Sequence, residues 1–193
     1  MDVMEAIKGR RSIRKYSAKP VSEETLQTLL EAARWAPSWS NTQCWRFVIV
    51  RDKETKSRLA DTLKGTRPGR TNPATEAVRN APAVIVACAE RGLSGLYKGE
   101  DEKSVPATDK GDSWYMFDVA LAVHNLSLAA HALGLGTVHT GLLDAVAAAK
   151  IMGLPETVAL VELVPLGWPD EQPAPRPRKE VSEFVFYEKY PRQ

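Results

Sequence analysis

The sequence predicts one α+β domain over residues 1–193. Helical and strand patterns intermix along the chain without the strict βαβ alternation of a doubly wound fold. Hydrophobic residues make up 44% and charged residues 26%, as in ordinary globular proteins, and a chain of this length can bury a core unaided. Because Cys44 and Cys88 are the two cysteines and no CxxC spacing occurs, we expect neither a disulfide framework nor a zinc site.

The first fifty residues predict two helices and a strand. Residues 1–10 form a helix with apolar side chains on one face: Val3, Met4 and Ile7. Ser22 is a typical N-cap for the second helix, which ends before Pro37. The β-branched and aromatic run 45–50 then predicts the first strand.

The next sixty residues predict a helix, a central strand and a lid. Asp52 can cap a helix over 53–64. The run 83–89 is apolar on both faces, which is typical of a central strand. Residues 91–112 are rich in Gly, Ser, Lys and acidic residues. A structureless stretch of that length indicates a lid or binding loop.

The longest predicted helix covers residues 113–133. From 118 to 133 its few polar residues are scattered around the cylinder, so it needs neighbours on every side and a partner subunit is expected. His124 and His131 share one face. A metal site is conceivable there, but no carboxylate or cysteine at helical spacing completes it, so core or interface histidines are favoured.

The remainder predicts a short strand at 137–140, a helix at 143–152 and a long strand at 158–166. A proline-rich, extended segment follows. Residues 179–193 are expected to form a C-terminal arm, in which EFVFYEKY alternates apolar and polar residues like an edge strand.

The charge distribution excludes some partners. Subtracting 24 acidic from 26 basic side chains leaves +2, so no nucleic-acid surface is expected. No run reaches the roughly 18 apolar residues of a membrane helix, and the N-terminus lacks a signal peptide's apolar core, so no membrane partner and a cytoplasmic location are expected.

Three segments have the composition of ligand-binding sites. GRRSIRKY (9–16) is either a phosphate site or a solvated basic surface. APSWSNTQCWRF (36–47) suits a polar heteroaromatic ligand, or bonds its own backbone. The glycines of GLGTVHTG (134–141) allow close backbone approach, although the GxGxxG spacing of a dinucleotide fold is missing.

These segments, followed by GWPDEQPAPRPRKEV, resemble the nitroreductase family in the same order, over about residues 4–190. The resemblance implies a nitroreductase-like fold with a central mixed or antiparallel sheet flanked by helices. It also implies an intertwined homodimer with flavin mononucleotide (FMN) at its interface.

The resemblance assigns FMN contacts at both ends of the chain. Arg10 and Ser12 would contact the phosphate and ribityl chain. Arg14 would lie near the N1 edge of the ring, where a cation stabilises the charge left by two-electron reduction. Arg11 would contribute backbone, with its side chain free. The second phosphate clamp would be Arg176 and Arg178, with Lys179 able to replace either.

The other contacts implied by the resemblance come from the two central segments. Four residues would touch flavin bound mainly by the other subunit: Pro37, Ser38, Trp39 and Asn41. Three would lie against the ring: His139, Thr140 and Gly141. A backbone N–H near Gly141 or Leu142 would face N5. Cys44 stands where many relatives have proline.

The implied function is an FMN-dependent oxidoreductase with ping-pong hydride transfer from NAD(P)H through flavin N5 to an electron-poor acceptor, a nitroaromatic or a quinone. No catalytic side chain and no metal are assigned, because the cofactor supplies the chemistry. The alternative is an FMN-binding module for storage, sensing or delivery without NAD(P)H turnover. Reductive dehalogenation and flavin ring-opening also stay open.

Overall fold

The architecture is a four-stranded antiparallel sheet with helices on both faces, as the predicted α+β class requires. The structure is a computed structural model that describes residues 1–99 and 103–191. Its elements are α1 (Val3–Gly9), α2 (Glu23–Arg34), β1 (Trp45–Val50), α3 (Lys53–Ala60), α4 (Thr75–Asn80), β2 (Ala83–Glu90), β3 (Leu96–Lys98), β4 (Ser104–Pro106), α5 (Tyr115–Ala132), β5 (Gly136–Thr137), α6 (Ala145–Met152) and β6 (Val158–Gly167). The sheet order is β1-β2-β6-β5.

The central position predicted for the second strand is confirmed. β2 pairs with β1 on one side and β6 on the other, and it is buried along almost its whole length. Alternate residues point to opposite faces of a strand. Ile85, Ala87 and Ala89 therefore pack against α2 and α5, whereas the even-numbered residues pack into a second cluster with α3 and α6. One strand thus supplies both halves of the core.

Side-chain caps explain why several helices begin where the sequence predicts. Ser22 Oγ accepts from the Thr25 N–H at 3.1 Å, and Asp52 accepts from the Thr55 N–H at 2.7 Å. Asp2 forms a capping box with Glu5 at the start of α1. Each such cap contributes about 1 kcal/mol and satisfies an N–H that the helix itself leaves unpaired.

Several predicted boundaries are wrong. α3 ends at Ala60 rather than 64, and α4 was not predicted. The predicted strand 137–140 is shorter, because β5 stops at Thr137 and Thr140 forms only an isolated bridge to Leu163.

The predicted lid, residues 91–112, is not structureless. β3 and β4 form an antiparallel hairpin in it, and a 3₁₀ turn at Gly111–Trp114 leads into α5. Residues 100–102 of this segment lie outside the described residues.

The C-terminal arm does not form the edge strand that its alternation suggested. Within residues 179–191 the arm contains one 3₁₀ turn, at Val181–Glu183, and is otherwise irregular. Residues 192–193 lie outside the described residues. Its side chains are exposed, including Phe184 and Tyr187. No helix of the described residues combines the length and hydropathy needed to cross a bilayer.

Apolar side chains remain uncovered on two helices. Val3, Met4 and Ile7 of α1 are exposed, and Phe117 of α5 is 57% exposed. The homodimer predicted from the apolar α5 remains a prediction, and these side chains are where it would bury surface.

Candidate functional site

The basic N-terminal segment lies between two other predicted motifs. The Ile13 N–H donates to the Thr137 carbonyl at 3.0 Å. The Ser17 N–H donates to the Trp168 carbonyl at 2.9 Å, and the Lys15 carbonyl accepts from the Asp170 N–H at 2.9 Å. The segments GRRSIRKY, GLGTVHTG and GWPDE, which are far apart in sequence, therefore meet in one place.

Glu171 stabilises the place where these three segments meet, and the sequence did not reveal it. Its carboxylate accepts from the Arg14 and Lys15 backbone N–H groups, the latter at 3.1 Å. The neighbouring Tyr16 hydroxyl donates to the Ile13 carbonyl at 2.6 Å. Burial, followed by the Glu171 charge, raises the pKa of the Tyr16 phenol, so it stays neutral and serves to hold the backbone.

Arg10 has the surroundings of an anion-binding group. Its Nη1 is buried and has no hydrogen-bond partner among the described residues. Burial, and then the charges of Arg178 and Arg11, lower the pKa of this guanidinium. Arg178 of the C-terminal segment therefore lies near Arg10. A partly buried, unpaired guanidinium such as that of Arg10 is unfavourable unless an anion joins it.

The remaining arginines divide into those with and those without protein partners. Arg11 is not free, contrary to expectation: its Nη1 donates to the carbonyls of Lys8, Gly9 and Arg10, which end α1. Arg14 Nε is buried without a partner in the described chain, although its Nη1 reaches the Ser12 carbonyl at 3.3 Å. Arg176 is exposed.

A cavity of about 470 Å³ opens beside these groups. Its lining includes Arg10, Arg11, His131, Thr137 and Glu171. Thr137 Oγ1 is buried without a partner among the described residues. Burial, followed by the Arg10 charge, lowers the pKa of His131, so the ring adds no positive charge at neutral pH. The positive charge of the cavity comes from arginine.

The segment 139–142 combines an inward side chain with open backbone. Thr140 Oγ1 and N–H both donate to the Leu163 carbonyl, so this side chain is turned into the sheet. Gly141 has open space where a Cβ would stand. The N–H groups of Gly141 and Leu142 have no acceptor within the described residues, and both residues are exposed. A ligand could approach this backbone closely and accept from it.

His139 is held by a buried acid. Its Nδ1 lies 3.1 Å from both carboxylate oxygens of Glu162, and its Nε2 lies 3.2 Å from Ser127 Oγ. Because the carboxylate can only accept, Nδ1 carries the proton and Nε2 can accept from Ser127. The ring orientation is therefore fixed, whereas the sequence identified only the histidine.

The loop before β1 is separate from the basic segment within this chain. Ser38 Oγ accepts from the Gln43 N–H at 3.0 Å, and Asn41 Oδ1 accepts from Gln43 Nε2 at 3.2 Å. The loop thus bonds its own groups, one of the two alternatives that the sequence left open. Pro37 is exposed. Ser40, Asn41 and Gln43 have φ of 43°, 56° and 48°, a conformation that is unfavourable for side chains other than glycine.

A buried carboxylate anchors this loop to α5. Asp118 is fully buried, and both its oxygens accept from the Trp39 N–H at 3.1 Å. It also accepts from Ser94 Oγ at 2.6 Å and lies 3.7 Å from Cys44 Sγ. Ser94 belongs to the lid segment. Asp118 therefore joins the loop, the lid and the long helix, and the sequence showed it only as an isolated acid in an apolar run.

Aromatic rings cover the outside of this junction. Trp39 and Trp114 meet edge to face at 5.2 Å between centroids, and Phe117 lies 5.7 Å from Trp114. Phe117 itself is mostly exposed.

The two cysteines are inert. Burial, followed by the Asp118 charge, raises the pKa of Cys44 to about 12. Burial raises the pKa of Cys88 to about 11. Reactive cysteines have lowered pKa values, so neither thiol is suited to redox chemistry. The described residues contain no group of three or more potential metal ligands.

These observations fit an anionic, planar cofactor such as FMN. The orphaned Arg10 and Arg14 nitrogens can donate to a phosphate and to an electron-rich ring edge. The unpaired N–H groups at Gly141 and Leu142 can donate to a ring atom. None of these donor atoms has to break an existing hydrogen bond with a described residue in order to bind the cofactor.

Comparison with known proteins identifies the family of the chain. The family model described as "Nitroreductase family" matches residues 7–168. A Methanothermobacter thermautotrophicus protein, provisionally named NADH dehydrogenase/NAD(P)H nitroreductase, is 34% identical over 91% of this chain and 82% of its own. The Bacillus subtilis FMN reductase (NAD(P)H) is 30% identical over 92% of this chain and 70% of its own. The structure of Vibrio harveyi NADPH:FMN oxidoreductase with NAD⁺ has a TM-score of 0.80 at 28% identity, covering 98% of this chain and 78% of that one.

Proposed function

The chain belongs to the nitroreductase family, and on that premise we propose that it is an FMN-dependent oxidoreductase. It takes a hydride from NAD(P)H and, in a second half-reaction, reduces an electron-poor acceptor, a nitroaromatic or a quinone. The observation that carries the proposal is the pair of buried nitrogens of Arg10 and Arg14, which have no hydrogen-bond partner among the described residues; the open backbone at Gly141 supports it.

The chain's own residues have distinct tasks in binding FMN. Arg10 and Arg178 hold the phosphate, with Ser12 beside them. Arg14 stabilises negative charge at the N1 edge of the ring, and the Gly141 or Leu142 N–H donates to N5. When bound, FMN supplies the redox chemistry by accepting a hydride from one substrate and reducing the next. Arg11 acts indirectly by fixing the end of α1.

The functional unit is a homodimer. The loop residues Pro37, Ser38, Trp39 and Asn41 make no hydrogen bond to the basic segment within the described chain; their contacts are internal to the loop or go to Asp118 and the aromatic cluster. In the dimer this loop contacts the cofactor of the second copy. The exposed apolar faces of α1, α5 and the arm supply the interface.

The absorbance spectrum of the purified protein and its anaerobic reduction test the proposal. We expect a flavin band that bleaches within the turnover time on addition of NADH or NADPH and returns when a quinone or nitroaromatic is added. A flavin band that neither dinucleotide bleaches would make the protein a flavin-binding module instead. A colourless protein that binds no added FMN would refute the cofactor assignment.

A matched pair of variants separates binding from folding. Arg10→Ala should purify with little flavin, because the phosphate loses a charge-assisted partner. Arg51→Ala removes an exposed arginine paired with Glu23 and should retain full flavin content. Loss of flavin from both variants would contradict the assignment of Arg10.

A further inference from the structure

A second basic site lies on the loop between α3 and α4. An open groove of about 890 Å³ is lined by the loop residues 63–72 and by parts of α3 and α4. Its cations are Lys64, Arg67, Arg70 and Arg79. None of them belongs to the flavin site described above.

Only some of these cations are neutralised. Arg79 pairs with Asp61 at 2.9 Å and with Glu76 at 3.3 Å, and Lys64 lies 3.7 Å from Asp144. The acids of the groove are therefore already paired. Arg67 and Arg70 are exposed, and their side chains have no hydrogen bond or ion pair with any described residue.

A tight turn holds these two arginines together. The Arg70 N–H donates to the Arg67 carbonyl at 3.1 Å, and Gly69 between them has φ of 74°. Proline followed by a glycine with positive φ is typical of a type II turn, whose first and last residues lie close together. Gly65 closes the loop behind the turn, since a Cβ there would stand 1.6 Å from the Arg70 carbonyl oxygen. The turn therefore brings the backbones of two exposed arginines close together and constrains them.

The base of this loop is bonded to the proposed flavin-facing segment. The Lys64 N–H donates to the Leu142 carbonyl at 3.0 Å. Asn72 Nδ2 donates to the Lys64 carbonyl at 3.0 Å and reaches the Leu142 carbonyl at 3.4 Å. Leu142 directly follows Gly141. A long ligand with one end at Gly141 can therefore extend along the loop toward the arginine pair.

We propose that Arg67 and Arg70 bind phosphate groups of the nicotinamide dinucleotide while its nicotinamide end lies against the flavin beside Gly141. The inference rests on the proposed function. Guanidinium forks match phosphate oxygens in geometry and charge, so two exposed arginines at the ends of one turn can both reach a single phosphate. The dinucleotide offers two such anions, the pyrophosphate of both forms and the 2′-phosphate of NADPH.

The experiment compares FMN-loaded wild-type protein with the double variant Arg67→Ser/Arg70→Ser and the control Arg51→Ser. Steady-state kinetics with NADPH and with NADH are combined with calorimetric titration of 2′,5′-ADP and of ADP. Both arginines are exposed and their side chains have no partner in the described part of the chain, so the double variant should fold, which the melting temperature checks.

We expect the double variant to raise the KM for NADPH and the Kd for 2′,5′-ADP about tenfold, with kcat changed less than about twofold. Arg51→Ser should change neither constant. An effect restricted to NADPH and 2′,5′-ADP assigns the 2′-phosphate, and an equal effect on NADH and ADP assigns the pyrophosphate. Unchanged KM and Kd values would overturn the proposal.

Failure of the proposed function would look different. Wild-type protein would then oxidise neither dinucleotide, whereas the loss of 2′,5′-ADP binding in the double variant would still demonstrate the phosphate site.

Discussion

Replacing Asp118 with asparagine tests how much of the structure depends on one buried carboxylate. The side chain is fully buried and accepts from the Trp39 N–H at 3.1 Å and from Ser94 Oγ at 2.6 Å. The substituted asparagine keeps the shape but turns one acceptor oxygen into an NH₂ group. Because the Trp39 N–H lies 3.1 Å from both oxygens, it keeps the remaining one. The new NH₂ group faces that N–H as a donor without an acceptor, and the bonds from Trp39 and Ser94 become neutral.

The expected loss follows from these two bonds. A hydrogen bond to a charged group contributes about 1.5–3 kcal/mol against about 0.5–1.5 for a neutral one, and an unsatisfied buried donor costs about 1–3 kcal/mol. Because asparagine is neutral, the variant avoids the desolvation cost of a buried charge, which offsets part of the lost hydrogen-bond free energy. We expect Asp118→Asn to lower the free energy of unfolding by about 2 kcal/mol. With a urea m-value of about 2 kcal/mol/M, the midpoint falls by about 1 M.

The assay is urea unfolding, followed by circular dichroism at a fixed protein concentration in saturating FMN. Asp109→Asn is the control, because this carboxylate is exposed and, among the described residues, pairs with its neighbour Lys110; its urea midpoint should equal that of the wild type within error. Ser94→Ala should be less destabilising than Asp118→Asn and non-additive with it. If Asp118→Asn is no more destabilising than Asp109→Asn, the buried carboxylate does not hold the loop and the lid.

Three further predictions concern the cofactor and the thiols. Arg14→Ala should lower the two-electron potential of the bound flavin by about 30–60 mV, measured by dye equilibration, because a charged hydrogen bond to the reduced ring is lost; an unchanged potential would remove Arg14 from the N1 edge. Arg10→Ala should raise the Kd for FMN about 10–100-fold by fluorescence quenching, and an unchanged Kd would exclude Arg10 from the phosphate site. Cys44, with a pKa of about 12, is roughly one part in ten thousand thiolate at pH 8. Folded protein at pH 8 should therefore resist iodoacetamide by mass spectrometry, with thiolate forming only as pH rises toward 12, and rapid labelling of native Cys44 would contradict its burial.

The secondary-structure elements that the sequence predicted correctly depend on interactions between residues close together in the chain. Ser22 and Asp52 cap helices through N–H groups three residues away, so a short window contains the whole interaction. α4 escaped prediction because its first residue has no side-chain cap and its stability comes from burying Ala77 and Val78. The β3–β4 hairpin escaped for a similar reason: Gly95 packs against Gly111 and Trp114, which a local pattern does not reveal.

The site residues show the same contrast between short motifs and long-range contacts. Arginines and glycines stood out because they cluster in short motifs. The carboxylates that fix those motifs did not, since Trp39 and Asp118 lie 79 positions apart and Arg14 and Glu171 lie 157 apart. A usable signal existed: Asp118 and Glu162 are isolated acids inside apolar runs, and a buried acid needs donors from elsewhere in the fold.

The meeting of Arg10 with Arg178 has a consequence for biosynthesis. If these two arginines form the proposed phosphate clamp, a nascent chain has only half of it, because a ribosome completes Arg10 long before it adds Arg178. Flavin would then bind only after Arg178 has been synthesised, and the flavin absorbance would indicate that both arginines are present. Proteolytic clipping near the carboxyl end would bleach the protein while leaving its sheet folded.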